Sequence, residues 1–118
     1  MFEDYCVNES YTILEVLERF ERNNDRVAVV INENDKVIGV ISQGDILRAL
    51  SSGTDIHTEI RNIISNSFLH LYSKNMDEAF KVFKKTKITL LPVIDNGNRL
   101  TDVITLADIY EYLEERIH

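Results

Sequence analysis

The sequence predicts an α+β fold, in the broad sense an α/β protein, made of two copies of one β-α-β-β-α unit. Two observations predict it. Sliding the chain against itself by 63 residues superimposes Phe20 on Phe83, Val30-Ile31 on Val93-Ile94, Val40-Ile41 on Val103-Ile104 and Asp45-Ile46 on Asp108-Ile109 without a gap. Within each copy the apolar spacing changes from helical to strand-like and back, with turn residues at the same places. The halves are therefore read as residues 1–53 and 68–118, joined by a connector over 54–67, and together they form one module.

Each element has a local cause. Ile13, Val16, Leu17 and Phe20 follow the i, i+3, i+4, i+7 spacing of an amphipathic helix, and Thr12 with Glu15 forms a T-x-x-E capping box at its start. Met76, Ala79, Phe80 and Phe83 repeat that stripe behind Asn75, a good N-cap residue, with Glu78 three positions on. Two β-rich runs come next, 26–31 and 36–41, joined by the polar Asn32-Glu33-Asn34-Asp35, and they read as an antiparallel hairpin. The runs 88–94 and 99–104, joined by Asp95-Asn96-Gly97-Asn98, copy it. Because these strands are apolar at almost every position, both faces of the sheet are expected to be covered, one by helices and the other by the second repeat. A closing helix follows each hairpin, over 43–52 with Gly53 at its C-terminal end and over 106–117. The connector is polar, with a short helix expected around 58–64.

Bulk properties exclude several classes. Forty-four per cent hydrophobic content over 118 residues is enough for one core. Thirteen Lys plus Arg against twenty Asp plus Glu give a net charge of −7, which repels a phosphate backbone, so nucleic acid is not an expected partner. No apolar run approaches the ~20 residues of a membrane-spanning helix. The opening residues lack the basic and apolar regions of a signal peptide, and one cysteine, Cys6, allows no internal disulfide, so the chain is read as cytoplasmic. His57, His70 and His118 show no metal-ligand spacing, and phosphate-loop, dinucleotide and nucleophile-elbow motifs are absent. The tyrosines and the lysines Lys81, Lys84, Lys85 and Lys87 read as packing and as a solvated face, with Lys87 the one lysine placed to reach a phosphate. No catalytic residue is assigned, and a two-carboxylate hydrolase built from Asp45 and Asp108 is the weaker alternative.

The most informative local feature is Ser42-Gln43-Gly44-Asp45, which recurs as Thr105-Leu106-Ala107-Asp108 where each second strand turns into a helix. As structure, the hydroxyl caps the helix and the aspartate sits in the positive end of its dipole. As function, a helix start offers donors to a phosphate, and a carboxylate can accept both hydroxyls of a ribose.

At these residues the chain resembles the tandem cystathionine-β-synthase-type (CBS) domain pair, or Bateman module. The likeness is carried by Thr12–Leu17, Val29–Asn32, Val37–Ile46, Leu91–Asp95 and Val103–Ile109, and it extends over essentially the whole chain. It implies two repeats related by a pseudo-two-fold axis and packed through their sheets, clefts between them for AMP, ADP, ATP or another adenosyl compound, and homodimers. Carried over by position, Asp45 and Asp108 would hold ribose hydroxyls, and Ser42 and Thr105 would approach ribose or phosphate. Val40 and Val103 would offer backbone near adenine, Ile88, Thr89 and Pro92 would line one cleft, and Thr12 is a further nucleotide-binding candidate. The implied role is a regulatory, non-catalytic sensor controlling a fused or partner protein, with a ligand-free dimerisation module as the alternative. The stretch 44–53 also resembles CBS pairs attached to sugar-phosphate nucleotidyltransferases. Gly39 is replaced by Asp102, Thr12 by Asn75 and Val29 by Pro92 in the second half, so the two clefts are not expected to be equivalent.

Overall fold

The structure, a computed structural model, describes residues 2–65 and 67–117; His118 lies outside the described residues. The chain divides into two compact units, the first ending at Phe68 and the second beginning at Leu69.

In the first unit the chain runs through β1 (Cys6–Asn8), α1 (Ile13–Asn23), β2 (Val27–Ile31), β3 (Val37–Ser42) and α2 (Gln43–Ser51). The sheet has the order β1-β2-β3, with β1 parallel to β2 and β3 antiparallel to it. The capping box before α1 forms as expected: the Glu15 amide donates to the Thr12 hydroxyl at 3.2 Å, and the Thr12 amide donates to Glu15 Oε1 at 2.9 Å. Ile13, Val16 and Phe20 on the buried stripe of α1 meet Ala28 and Val30 of β2, Ile41 of β3 and Ile46 of α2 in one core. Val27 and Val29, which alternate with Ala28 and Val30 and so point to the opposite face, are buried as well. Gly53 closes α2 with φ +98°, and the bonds from its amide to Leu50 and from the Thr54 amide to Ala49 satisfy the last carbonyls.

The connector behaves differently from its polar composition. Ile60 is completely buried in the first core. Its amide donates to the Tyr11 carbonyl, and the amides of Ile13 and Leu14 donate to the carbonyls of Thr58 and Ile56. In place of the helix expected around 58–64, the chain forms a three-residue 3₁₀ turn, Ile60–Asn62. Pairing with the start of α1 takes the carbonyl of Thr58, which a helix over 58–64 would have used internally.

The second unit holds α3 (Met76–Lys85), β4 (Leu90–Ile94), β5 (Leu100–Thr105) and α4 (Leu106–Ile117). The β4–β5 hairpin reproduces β2–β3 residue for residue, from Leu90↔Thr105 against Val27↔Ser42 to a register shift at Val93/Ile94 against Val30/Ile31. The expected first strand shrinks to one parallel bridge, Leu71↔Val93. Pro92 supplies the reason. Its carbonyl accepts from the Leu71 amide, and the Ile94 amide donates to the Leu71 carbonyl, so this edge of β4 faces the first-strand position. In a strand the N–H and C=O of one residue point to the same side, so the N–H that proline lacks is missing from that edge. The equivalent Val29 pairs with Cys6 of β1.

Both hairpin turns end on a residue in the left-handed region, Asp35 at φ 61° and Asn98 at φ 63°. In one, Asn32 Oδ1 accepts from the amides of Asn34 and Lys36; in the other, Asp95 Oδ1 accepts from Gly97 at 2.8 Å and Arg99 at 2.9 Å. The Arg99 amide in particular holds the Asp95 carboxyl below its ordinary value of 3.8. A depressed folded-state value means that this contribution to stability is present above about pH 4 and is lost as the pH falls through the folded-state value. Asn32 makes the same bonds without a charge, so Asp95→Asn should preserve stability at neutral pH and flatten the acid limb. Urea midpoints at pH 7 and pH 3 would show it, and an equal loss in both proteins would mean that Asp95 carries none of the acid response.

Candidate functional site

In each unit a strand passes into a helix with no intervening loop residue: β3 ends at Ser42 where α2 begins at Gln43, and β5 ends at Thr105 where α4 begins at Leu106. The amides at such a start have no partner inside the helix and must find one elsewhere. In the first corner the Asp45 amide donates to Ser42 Oγ at 3.2 Å, and the Ser42 amide donates to Asp45 Oδ2 at 2.8 Å. In the second the Asp108 amide donates to Thr105 Oγ1 at 3.2 Å, and the Thr105 amide donates to Asp108 Oδ2 at 2.9 Å. The first helical amide turns back to the hairpin in both: Gln43 to the Arg26 carbonyl at 2.9 Å and Leu106 to the Thr89 carbonyl at 3.1 Å. The hydroxyls and carboxylates singled out in the sequence are therefore reciprocal caps, with Asp45 and Asp108 half-buried.

The remaining candidates fall around the same corners or away from them. Thr89, exposed, joins the second corner through its carbonyl. Pro92 and Val103 are buried cross-strand partners, as are Val29 and Val40 at the equivalent positions, where Val40 is half-buried. Ile88 packs against the core of the second unit. Thr12 caps α1 and bridges to Glu59, so its bonds serve a different helix start. Asp102, which stands where the first unit has Gly39, is matched by Lys74 at 3.4 Å, and its Oδ1 accepts from the Val103 amide. At Gly39 itself an added Cβ would lie 3.2 Å from the Ser65 carbonyl oxygen, so the end of the connector occupies that space.

Two residues absent from the sequence reading belong to the first corner. Arg48, one turn beyond Asp45, places Nη2 2.5 Å from Asp45 Oδ1, and the two line an open groove of about 340 Å³ with Ala49, Ser52, Thr54 and Ile63. Arg26, at φ 55°, borders a neighbouring groove of about 290 Å³ with Gln43. The repeat alignment contained the signal, since Arg26 and Arg48 fall on Thr89 and Glu111 and the first corner is cationic where the second is not. Cys6 is half-buried, and burial pushes its thiol up to about 11, which leaves it protonated and unreactive at neutral pH. Among the described residues no group of His, Cys, Asp and Glu could hold a metal ion, and no helix is long and apolar enough to cross a membrane.

Two hairpins of one register, each running straight into a reciprocally capped helix, define a duplicated α+β module. The chain belongs to the CBS domain family, whose model matches residues 1–52 and again residues 69–115. Over 91 residues it is 32% identical to an uncharacterized protein of Helicobacter pylori, covering 71% of this chain and 26% of that protein. It is 36% identical over 91 residues to inosine-5'-monophosphate dehydrogenase of Bacillus subtilis, covering 75% of this chain and 18% of the enzyme. The chain thus matches about a quarter or less of the length of these relatives. Its fold is that of the CBS domains of a transcriptional regulator from Streptococcus pneumoniae, with TM-score 0.79, 22% identity and 93% and 90% of the two chains covered. It is equally that of a CBS domain protein from Pyrobaculum aerophilum complexed with AMP, with TM-score 0.75, 22% identity and 93% and 90% covered.

If the corner hydroxyls act as caps, Ser42→Ala and Thr105→Ala should each lower unfolding free energy by about 0.5–2 kcal/mol, with the buried Thr105 toward the upper end. Urea denaturation of Thr105→Ala beside Thr105→Ser tests the cause. Serine should restore most of the loss, and equal losses would assign it to packing of the methyl group.

Proposed function

We propose that this CBS-domain pair is a non-catalytic regulatory module that senses an adenine nucleotide, AMP, ADP, ATP or a related adenosyl compound, at its strand-to-helix corners. The observation that carries the reading is the Asp108 carboxylate. One of its oxygens fixes the cap, while the other has no protein partner among the described residues and can accept from a ribose hydroxyl. In this reading Asp45 and Asp108 take the ribose, and Ser42 and Thr105 approach ribose or phosphate at a helix start where donors and positive potential converge. Backbone at Val40 and Val103 reads adenine, and Thr12, Ile88, Thr89 and Pro92 contribute lining. The AMP complex of the Pyrobaculum aerophilum relative supports the ligand class.

The match to a small part of inosine-5'-monophosphate dehydrogenase supports a module carried within a larger protein, and the proposal extends to a homodimeric module that controls a fused or partner protein in the cytoplasm. The resemblance to pairs attached to sugar-phosphate nucleotidyltransferases suggests one kind of target. Control of this sort requires the nucleotide to bind two states of the assembly with different affinity.

A thermal-shift titration with AMP, ADP, ATP, S-adenosylmethionine and nucleotide sugars tests the reading. A ligand at about 100 times its Kd should stabilise the fold by about 2.7 kcal/mol. A saturable rise in Tm with one adenosine compound is the expected result. A flat response across the panel would favour a ligand-free dimerisation module, in which the four corner residues serve as caps alone.

A further inference from the structure

We infer that Arg48 makes the two corners unequal, partly closing the first to a ribose diol while the second stands open at Asp108; this rests on the nucleotide reading above. A carboxylate that receives two sugar hydroxyls needs acceptor directions left over after its structural bonds are made. Asp45 has few to spare. Its Oδ2 accepts from the Ser42 amide at 2.8 Å and the Ser42 hydroxyl at 3.0 Å, and its Oδ1 is taken by Arg48 at 2.5 Å. Asp108 Oδ2 accepts from the Thr105 amide at 2.9 Å, and its Oδ1 has no partner among the described residues.

Two sequence differences account for the bond at Oδ1. Gly44 has no Cβ, and the Arg48 guanidinium lies across the space where one would be, with Nη1 3.3 Å and Nη2 3.9 Å from that point. The second corner has Ala107 at the equivalent position, so a methyl group is present there, and Glu111 stands in place of Arg48. Glu111 cannot pair with Asp108 and repels it. One corner is therefore self-satisfied and the other is not, although their backbones make the same bonds.

The strength of the closure is set by exposure. The Arg48 and Asp45 side chains are 73% and 40% exposed, so the pair is screened and a ligand can displace it at a modest cost. Closure of this kind should weaken a diol ligand at the first corner by roughly two- to fivefold. It grades the two corners and does not abolish the first.

The test is calorimetric titration of the 118-residue chain with adenosine, which carries ribose and base but no phosphate, so that Arg48 acts on it only through Asp45. The variants are Arg48→Gln, Asp45→Asn and Asp108→Asn; asparagine keeps a side-chain carbonyl for the cap. Asp108→Asn is expected to weaken the tighter phase by about tenfold or more, whereas Asp45→Asn, which removes a carboxylate that Arg48 already occupies, should weaken the weaker phase by less. Arg48→Gln should tighten the weaker phase by about two- to fivefold, and the gain should vanish in Arg48→Gln combined with Asp45→Asn. Equal losses in the two Asn variants, or no change with Arg48→Gln, would overturn the inequality while leaving nucleotide binding intact. Absence of binding by wild type to both adenosine and AMP would overturn the nucleotide reading and the inequality with it.

Discussion

The reciprocal bond between the last residue of a strand and the aspartate three positions later is the constraint on which the rest of this structure depends. The chain leaves β3 and β5 and enters a helix without a loop, so the amides of Ser42 and Thr105 pass out of the sheet at the same point where the helix has unpaired donors of its own. A hydroxyl and a carboxylate in [ST]-x-x-D spacing answer both needs at once. Gln43 and Leu106 then reach back to the carbonyls of Arg26 and Thr89, which ties the helix start to the residue before the hairpin. With the corner fixed, Ile46 and Ile109 are delivered into the two cores, where they are almost completely buried. Losing the cap would free the helix start and withdraw a core side chain together, so the cap supports packing as well as local structure.

A second constraint comes from the hairpins. Their registers agree pair by pair, including the irregularity after the fourth pair, and their turns use an Asx side chain to bind two amides before a left-handed residue. That agreement makes the differences interpretable. Pro92 removes one donor from the edge of β4, and the parallel strand that Val29 supports in the first unit is reduced to a single bridge at Leu71. Asp102 in place of Gly39 brings a charge that Lys74 matches, whereas Gly39 leaves room for the Ser65 carbonyl. In each case the backbone is conserved between the halves and one side chain redirects its neighbours.

Much of this was legible in the sequence because it is local. The capping box at Thr12 and Glu15, the helical stripes, the hairpin turns and the two [ST]-x-x-D corners all depend on residues within four positions of one another. What stayed hidden depends on partners distant in sequence or on elements too short to show a period. Strand β1 has three residues, Cys6–Asn8, and takes its identity from pairing with β2. The connector looks polar, yet Ile60 anchors it in the first core and its carbonyls pair with the start of α1. Pro92 is a visible departure from Val29 in the sequence, but its effect depends on the direction of a missing N–H. The role of Arg48 is not legible in the sequence, because an arginine on an exposed helix face carries no signal until its guanidinium lies across Gly44.

The duplication also separates what the fold demands from what a ligand would demand. Ser42, Thr105, Asp45 and Asp108 are required in both halves by the geometry of the corner, so their presence alone does not distinguish a binding module from a structural one. Side chains that contribute nothing to the shared bonds are more informative. Arg26 and Arg48 align with Thr89 and Glu111 in the repeat, and their exchange alters the charge at the corner while the caps stay the same. A fold-maintaining requirement would hold these positions to one chemistry. Their divergence on an unchanged scaffold marks them as side chains that the fold leaves free to vary.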